Sequence, residues 1–302
     1  MKKTIIMGAG PSGLSAGYHL TRNGIETLLF EADHQVGGIS KTIKYKDYYF
    51  DLGGHRFFTK FDDVNNLWNE VLGENFRKTP RLSRIYYKNR FFNYPLTPVN
   101  ALMGVGVIDT VSILFSYLNS KLNPYSEEET FEEWVSNRFG KKLYSIFFKT
   151  YTEKVWGIPC SSIQAEWAAQ RIKGLSLTTA IMNALFKPKN KNIKTLIDEF
   201  DYPTHGPGMM YNQMKDKIEQ NGGTVNLNSK VVKVNHKNFK IESVEYIDDK
   251  GNRHIEEGTD FISSIPVTEL ISILNPDDDV LDAAGKLSYR SIITVDIIIN
   301  RK

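Results

Sequence analysis

The chain opens with a short apolar run, residues 3–7, rich in β-branched side chains and cut off by Gly8. That pattern predicts a buried strand. Residues 11–23 place Leu14, Tyr18 and His19 at helical spacing and meet a glycine stop at Gly24, so a helix is expected there. Residues 27–30 form the next strand, which runs into Glu31. A strand, a glycine turn, a helix and a second strand make one βαβ unit and imply a parallel sheet. Residues 44–50 alternate weakly and predict one more strand, feeding the glycine pair Gly53-Gly54.

From residue 62 to about residue 176 the texture turns helical, with a hairpin expected over 86–92 and Asn89 at its turn. Residues 130–139 predict a helix closed by a capping box, with Thr130 at the N-cap and Glu133 three positions on. The longest apolar stretch, 101–118, is interrupted by Asp109 and is short for a bilayer span; it predicts a buried or lid helix, with contact to a membrane surface as the alternative. The basic run KPKNKNIK, residues 187–194, predicts an exposed loop. After His205-Gly206-Pro207-Gly208 a helix is expected over 209–220, stopped by Asn221-Gly222-Gly223. Short strands follow at 224–227, 230–236, 240–246 and 260–265, and a last alternation at 291–300 predicts a strand that ends with the chain, suggesting an incomplete sheet.

Composition narrows the function classes. At 302 residues the chain has the length of about two domains. Its 38 Lys and Arg against 35 Asp and Glu leave a net charge of +3, which announces neither a nucleic-acid binder nor an acidic tail. The single cysteine, Cys160, excludes a disulfide framework, fits a reducing compartment, and is read as structural. Met1-Lys2-Lys3 and the following apolar run resemble the start of a signal peptide, but glycines at 8, 10 and 13 break the run. A cytoplasmic location without a transmembrane segment is therefore expected. No metal-ligand spacing and no Ser/His/Asp order stands out.

The strongest chemical signal is Gly8-x-Gly10-x-x-Gly13, between a predicted strand and a predicted helix, with Glu31 ending the second strand. In such a fingerprint the first glycine makes the tight turn and the second lets backbone approach a pyrophosphate. The third allows close helix packing, and the acid accepts hydrogen bonds from a ribose. Pro11, Ser12 and Gly13 open the helix, whose free N–H groups favour phosphate. Two further glycine pairs, Gly37-Gly38 and Gly53-Gly54 with His55 after it, let main chain approach a long ligand elsewhere; that favours FAD over NAD.

The segments GAGPSGLSAGYHL, FEADHQVGGISKT and DLGGHRFF are similar to the FAD-binding start of the amine-oxidase and protoporphyrinogen-oxidase superfamily. Ile262-Ser263-Ser264-Ile265-Pro266 and the strand around Val231 also resemble it, and by that resemblance Val231 meets the adenine through its backbone. Residues 131–172 resemble the helical domain of UDP-galactopyranose mutases through Phe147-Phe148, Tyr151-Thr152, Lys154, Trp156-Gly157 and Arg171. GKLSYRS, residues 285–291, places Arg290 where that family keeps a substrate arginine.

The expected fold is α/β, with a Rossmann-like FAD-binding domain over 1–80 and 203–265 and a mainly helical substrate domain over 81–202. Residues 266–302 are expected to begin an antiparallel sheet that the truncated chain leaves unfinished. The resemblance implies ring contraction of a UDP-hexose, with N5 of reduced flavin attacking the anomeric carbon and NAD(P)H as a candidate reductant. Arg171 and Arg290 would hold the diphosphate, His55 would stand by the flavin, and Trp156 would face sugar or flavin. The sequence departs from the mutases in lacking an Arg-Tyr-Phe triplet over 173–200, and residues 261–266 resemble the oxidoreductase branch more closely. An FAD-dependent oxidoreductase acting on an amine, a porphyrinogen or another small molecule, and an inactive truncated product, remain the alternatives.

Overall fold

The computed structural model describes residues 2–93, 104–171 and 199–300 together with residues 100, 176 and 178; the side chain of Arg171 is not among what is described. The chain divides into two compact units, Met1–Thr79 with Phe200–Lys302, and Pro80–Glu199. The basic run at 187–194 lies outside the described residues.

In the first unit β1 (Lys3–Met7), α1 (Pro11–Arg22) and β2 (Glu26–Phe30) form the expected βαβ unit. A hairpin of β3 (Thr42–Tyr45) and β4 (Tyr48–Asp51) follows, then α2 (Asp62–Leu72) and β5 (Phe76–Pro80). The hairpin replaces the single strand expected at 44–50: the chain reverses at Lys46, whose φ is +54°, and Tyr45 pairs with Tyr48. Period-two alternation passes through a two-residue turn without changing phase, so the pattern alone did not mark it.

The second unit holds β6 (Arg84–Tyr87) and β7 (Arg90–Asn93), joined at Lys88 and Asn89, both with positive φ as the tight turn needs. The helices α3 (Val107–Leu122) and α4 (Phe131–Phe139) come next. Thr130 and Glu133 close the capping box on α4 in both directions, at 3.3 and 2.9 Å. A π-helical stretch, Tyr144–Lys149, leads into α5 (Thr150–Trp156), and α6 (Ala165–Arg171) follows. The core of this unit is Phe92, Ile113, Phe131, Val135, Phe147 and Cys160. The part of the apolar stretch that lies in α3 is not a fully buried helix: Ile113, Tyr117 and Ser120 are its buried residues, and the opposite face is exposed.

The chain returns to the first unit through β8 (Glu199–Pro203), which pairs with β5, and α7 (Gly208–Gln220). Then come β9 (Thr224–Asn226), β10 (Lys230–Lys237), β11 (Lys240–Ile247), β12 (Arg253–Glu257) and β13 (Asp260–Ser263). The order β13-β1-β2-β9 is parallel throughout, with Ile6 opposite both Leu29 and Ile262. Both faces of this sheet are covered, which explains the unbroken apolar run of β1. Ile6 and Leu29 face Leu14 and Tyr18 of α1 and Met210 and Ile218 of α7. Ile5, Met7 and Phe30 face the antiparallel sheet β10-β11-β12 through Val231, Val234 and Val244. His19, expected beside Leu14 and Tyr18, is exposed; Thr21 is buried with Leu14 and Tyr18 instead.

The last part of the chain differs from the expected antiparallel sheet. α8 (Val267–Leu274) and α9 (Asp278–Gly285) occupy its beginning, and residues 286–300 carry no regular secondary structure. Ile292, Ile293, Val295 and Ile297 are exposed there, and among the described residues no strand pairs with them. A strand is stable only with a partner to take its backbone hydrogen bonds, however well its side chains alternate. Among the described residues no helix is long and apolar enough to cross a membrane.

Candidate cofactor site

The site grows from the turn between β1 and α1. Gly8 sits at φ +94°, and its N–H donates to the carbonyl of Phe30 at 2.8 Å, tying the turn to β2. A Cβ on Gly13 would stand 2.1 Å from the Gly8 carbonyl oxygen, so α1 begins against the strand only because residue 13 has no side chain. Gly10 is different. Its Cα faces open space, with only the Gly38 Cα at 4.0 Å from an added Cβ. Gly10 is the N-cap of α1 and no side chain caps the helix there; Pro11 occupies the first turn and no acid lies in it. The N–H groups of the first turn are thus left for an anion, beside a hollow that a Cβ at Gly10 would fill.

Glu31 closes the other side. One carboxylate oxygen accepts from the N–H of Ala9 at 2.7 Å and the other from the N–H of Asp33 at 3.0 Å. A carboxylate has about four acceptor positions, so two remain for hydroxyl groups of a ligand. Gly37 (φ +104°) donates its N–H to the Ala9 carbonyl at 2.9 Å, which lays the pair Gly37-Gly38 on the turn between β1 and α1. Gly38 is so close to Gly10 that a Cβ there would lie 3.3 Å from the Gly10 Cα. The segment before β10 is tied to the same place: Asn228 and Ser229 donate to the carbonyls of Asp33 and Glu31 at 3.0 and 2.7 Å. Val231 is buried against Phe30, and the register of β10 shifts between Val231 and Lys233. The structure therefore brings Gly8, Gly10, Pro11, Ser12, Gly13, Glu31, Gly37, Gly38 and Val231 to one end of the parallel sheet.

Gly54 belongs to the pair Gly53-Gly54, and His55 comes directly after it. Gly53 takes φ +112°, and a nitrogen of the half-buried His55 ring lies 3.2 Å from the Leu52 carbonyl. His55 lines a cavity of about 170 Å³ with Ser40, Arg56, Phe57, Trp68 and Tyr211. Ser40 belongs to the short turn Gly38–Ser40, which begins at the glycine pair packed on Gly10. Asp51 accepts from the Tyr202 hydroxyl, and Thr42 reaches Asp51 at 3.5 Å while accepting from the Gly208 N–H at 2.9 Å. Burial pushes the Asp51 carboxyl above its ordinary range, against the pull of Tyr202, and raises the Tyr202 phenol as well.

Sequence reasoning missed Thr42, Tyr202, Trp68 and Tyr211, which come from separate elements without a shared motif. It singled out the segment containing Ser264 but gave that residue no role; its hydroxyl lies 3.1 Å from the carbonyls of both Met7 and Gly8 and so braces the first turn from the end of β13. The signal for Ser264 was its place directly after an apolar strand that pairs with β1.

Trp156 and Arg171 belong to the second unit. Trp156 ends α5, half-buried, edge-on to Trp167 with ring centres 5.1 Å apart. Arg171 ends α6. Arg290 lies in the irregular stretch of the first unit, exposed, with no hydrogen bond or ion pair to the glycine cradle among the described residues. Cys160 is fully buried, and burial pushes its thiol up. Among the described residues no three His, Cys, Asp or Glu side chains gather as a metal site would need.

The family model of flavin containing amine oxidoreductases matches residues 11–302. The chain belongs to that family. Membership implies a flavin cofactor, and the open hollow at Gly10, the uncapped start of α1 and the free acceptor positions of Glu31 suit a dinucleotide there. Protoporphyrinogen oxidase 2 of Arabidopsis thaliana is 26% identical over 152 residues, 47% of this chain and 30% of that protein. The 1-hydroxycarotenoid 3,4-desaturase of a Flavobacterium is 24% identical over 264 residues, 81% of this chain and 53% of that one. A solved structure of reduced UDP-galactopyranose mutase superposes with a TM-score of 0.78 at 23% identity, covering 96% of this chain and 62% of the mutase chain. The chain thus spans roughly a third to two thirds of the length of these relatives.

Proposed function

We propose that this protein is an FAD-dependent flavoenzyme that rearranges a nucleotide sugar, as a UDP-galactopyranose mutase does. The observation that carries this reading is the segment from Phe147 to Gly157. Its mutase-like residues lie on the π-helical stretch and α5, where Tyr151 and Lys154 are exposed and Trp156 keeps part of its ring accessible. Likeness to the mutase in architecture supports the same reading. π-Helical turns are rare and are frequently found at functional sites.

The flavin, once bound, supplies the covalent or redox chemistry, and the protein supplies position and charge. Gly10, Ser12 and Gly13 hold the pyrophosphate at the start of α1, Glu31 takes the ribose, and the Val231 backbone borders the adenine. His55 stands beside the ring system. By the mutase resemblance each of Arg171 and Arg290 is a candidate donor to a substrate diphosphate, since a planar guanidinium offers paired donors to phosphate oxygens.

A second reading, an FAD-dependent oxidoreductase acting on an amine, a porphyrinogen or another small molecule, is favoured by the names of the curated relatives and by the resemblance of residues 261–266 to that branch. One experiment separates the two. The purified chain is loaded with FAD, reduced with dithionite without oxygen, and given UDP-galactofuranose. Conversion to UDP-galactopyranose only in the reduced state supports the mutase. No conversion, together with anaerobic bleaching of oxidised flavin by an amino acid or porphyrinogen, would replace it with the oxidoreductase.

A further inference from the structure

The hairpin of β10 and β11 closes in two residues, Asn238 and Phe239, between the paired Lys237 and Lys240. Both turn residues take positive φ, +50° and +60°. Two-residue hairpins favour such a turn, and glycine fills its second position at no steric cost. Asparagine is at home at the first. Phenylalanine at the second is an outlier, because its Cβ crowds the backbone in the left-handed region. Among the described residues the two other two-residue hairpin turns carry polar pairs, Lys46-Asp47 and Lys88-Asn89.

The fold does not use the ring that it strains to hold. Phe239 is 109% exposed, the highest value of any large apolar residue described. Lys237 and Lys240 stand directly opposite each other across the two strands, where like charges repel. Both are exposed, and among the described residues no carboxylate pairs with either. Their neighbours are engaged: Glu245 holds Lys233 at 3.3 Å, and the His236 ring lies 3.2 Å from the Leu274 carbonyl. One tip thus carries two arrangements that cost stability, and the folded chain compensates neither.

We infer that this tip docks on an anionic lipid surface, with the Phe239 ring at the headgroup boundary and Lys237 and Lys240 on lipid phosphates. Segments that lie on membranes combine Phe, Trp or Leu with Lys and Arg in this way. The negative surface offsets the repulsion of the lysine pair, and the boundary takes the ring out of water. A protein partner suits the tip less well. Lysine is depleted at protein interfaces, and a two-residue turn offers far less than the roughly 800 Å² per partner of a stable one. A single nucleic-acid strand needs a basic groove for its backbone, which a hairpin tip does not make. The inference holds whichever reaction the flavin site performs.

The test uses the whole chain loaded with FAD. In co-sedimentation with phosphatidylcholine–phosphatidylglycerol vesicles, the bound fraction should rise with the share of phosphatidylglycerol and fall as salt is added. Phe239→Gly should weaken binding about tenfold or more, yet melt no lower than the parent, since glycine suits the turn. Lys237→Gln and Lys240→Gln should each weaken binding about fivefold. A second measurement locates the contact. An environment-sensitive dye on Phe239→Cys should brighten and shift to the blue on those vesicles, because native Cys160 is fully buried and takes no dye. The same dye on Lys250→Cys, in the turn at the other end of β11, should not respond. A parent chain that ignores the vesicles would overturn the inference, as would binding that survives Phe239→Gly with the dye at 239 unmoved. A lower melting temperature for Phe239→Gly would overturn it too, by showing that the ring packs within the fold. So would a dye at 239 that responds to a single-stranded oligonucleotide and not to vesicles, which would assign the tip to nucleic acid.

Discussion

The carboxylate of Glu31 accepts the main-chain N–H of Ala9 at 2.7 Å, across the turn between the first strand and the first helix. The residue that would hold a ribose is therefore also the residue that ties the glycine turn to the end of β2. The two roles share one side chain because the carboxylate has acceptor positions to spare.

That double role makes Glu31→Ala a binding and a folding variant at once. A hydrogen bond to a charged group is worth about 1.5–3 kcal/mol, so FAD affinity should fall about 10- to 100-fold, with a lower melting temperature without the cofactor. Fluorescence titration of FAD and a thermal melt of the FAD-free chain check the two effects separately. Unchanged affinity would remove Glu31 from the binding residues.

Gly10 and Gly13 should respond oppositely to alanine. Gly10 has an ordinary φ of −72° and faces open space, so Gly10→Ala should fold as the parent does and bind FAD more weakly. Gly13→Ala places a Cβ 2.1 Å from a backbone oxygen, which cannot move without shifting the strand. It should lose about 2 kcal/mol or more. Urea denaturation without FAD distinguishes them, and equal stability of the two variants would contradict the packing described.

Tyr202→Phe should show a pH-dependent loss. The Tyr202 hydroxyl donates to Asp51, whose carboxyl burial raises above its ordinary value. A raised carboxyl favours folding most below the unfolded-state value near 4, and that contribution is lost as pH rises through the folded-state value. Without its donor the ionised Asp51 is the form left short of a partner. The deficit should therefore be small in acid and reach about 1–3 kcal/mol near neutrality, as read from denaturation at several pH values. A deficit constant from pH 4 to 7 would show that Asp51 is not the group involved.

Cys160 should be inert in the native chain. It is fully buried, and burial raises its thiol above the usual value, so little thiolate exists near neutrality and reagent cannot reach it. Ellman's reagent should find one thiol after denaturation and almost none before. Rapid labelling of the folded chain would mean that the core around Phe147 and Cys160 opens.

Much of the first unit was legible in the chain itself, because its signals are local. A run of apolar β-branched residues ending at Gly8, a fingerprint of three glycines, a helix stop at Gly24 and an acid at position 31 each depend on neighbours within one turn or strand. The capping box at Thr130 and the turn at Asn89 were readable for the same reason. Amphipathic alternation failed where the partner lies far away. Residues 44–50 hid a turn inside an unbroken pattern, and residues 291–300 alternate without pairing among the described residues.

The exposed side of α3 was likewise invisible, since an apolar stretch states that a face avoids water but not which surface covers it. Only the tertiary structure brought Asp51, Thr42, Tyr202 and Gly208 into one hydrogen-bonded group, and Ser264 onto a turn more than 250 residues earlier. Local hydrogen bonding and steric limits write themselves into short windows of sequence, whereas burial and pairing between distant strands are properties of the packed chain.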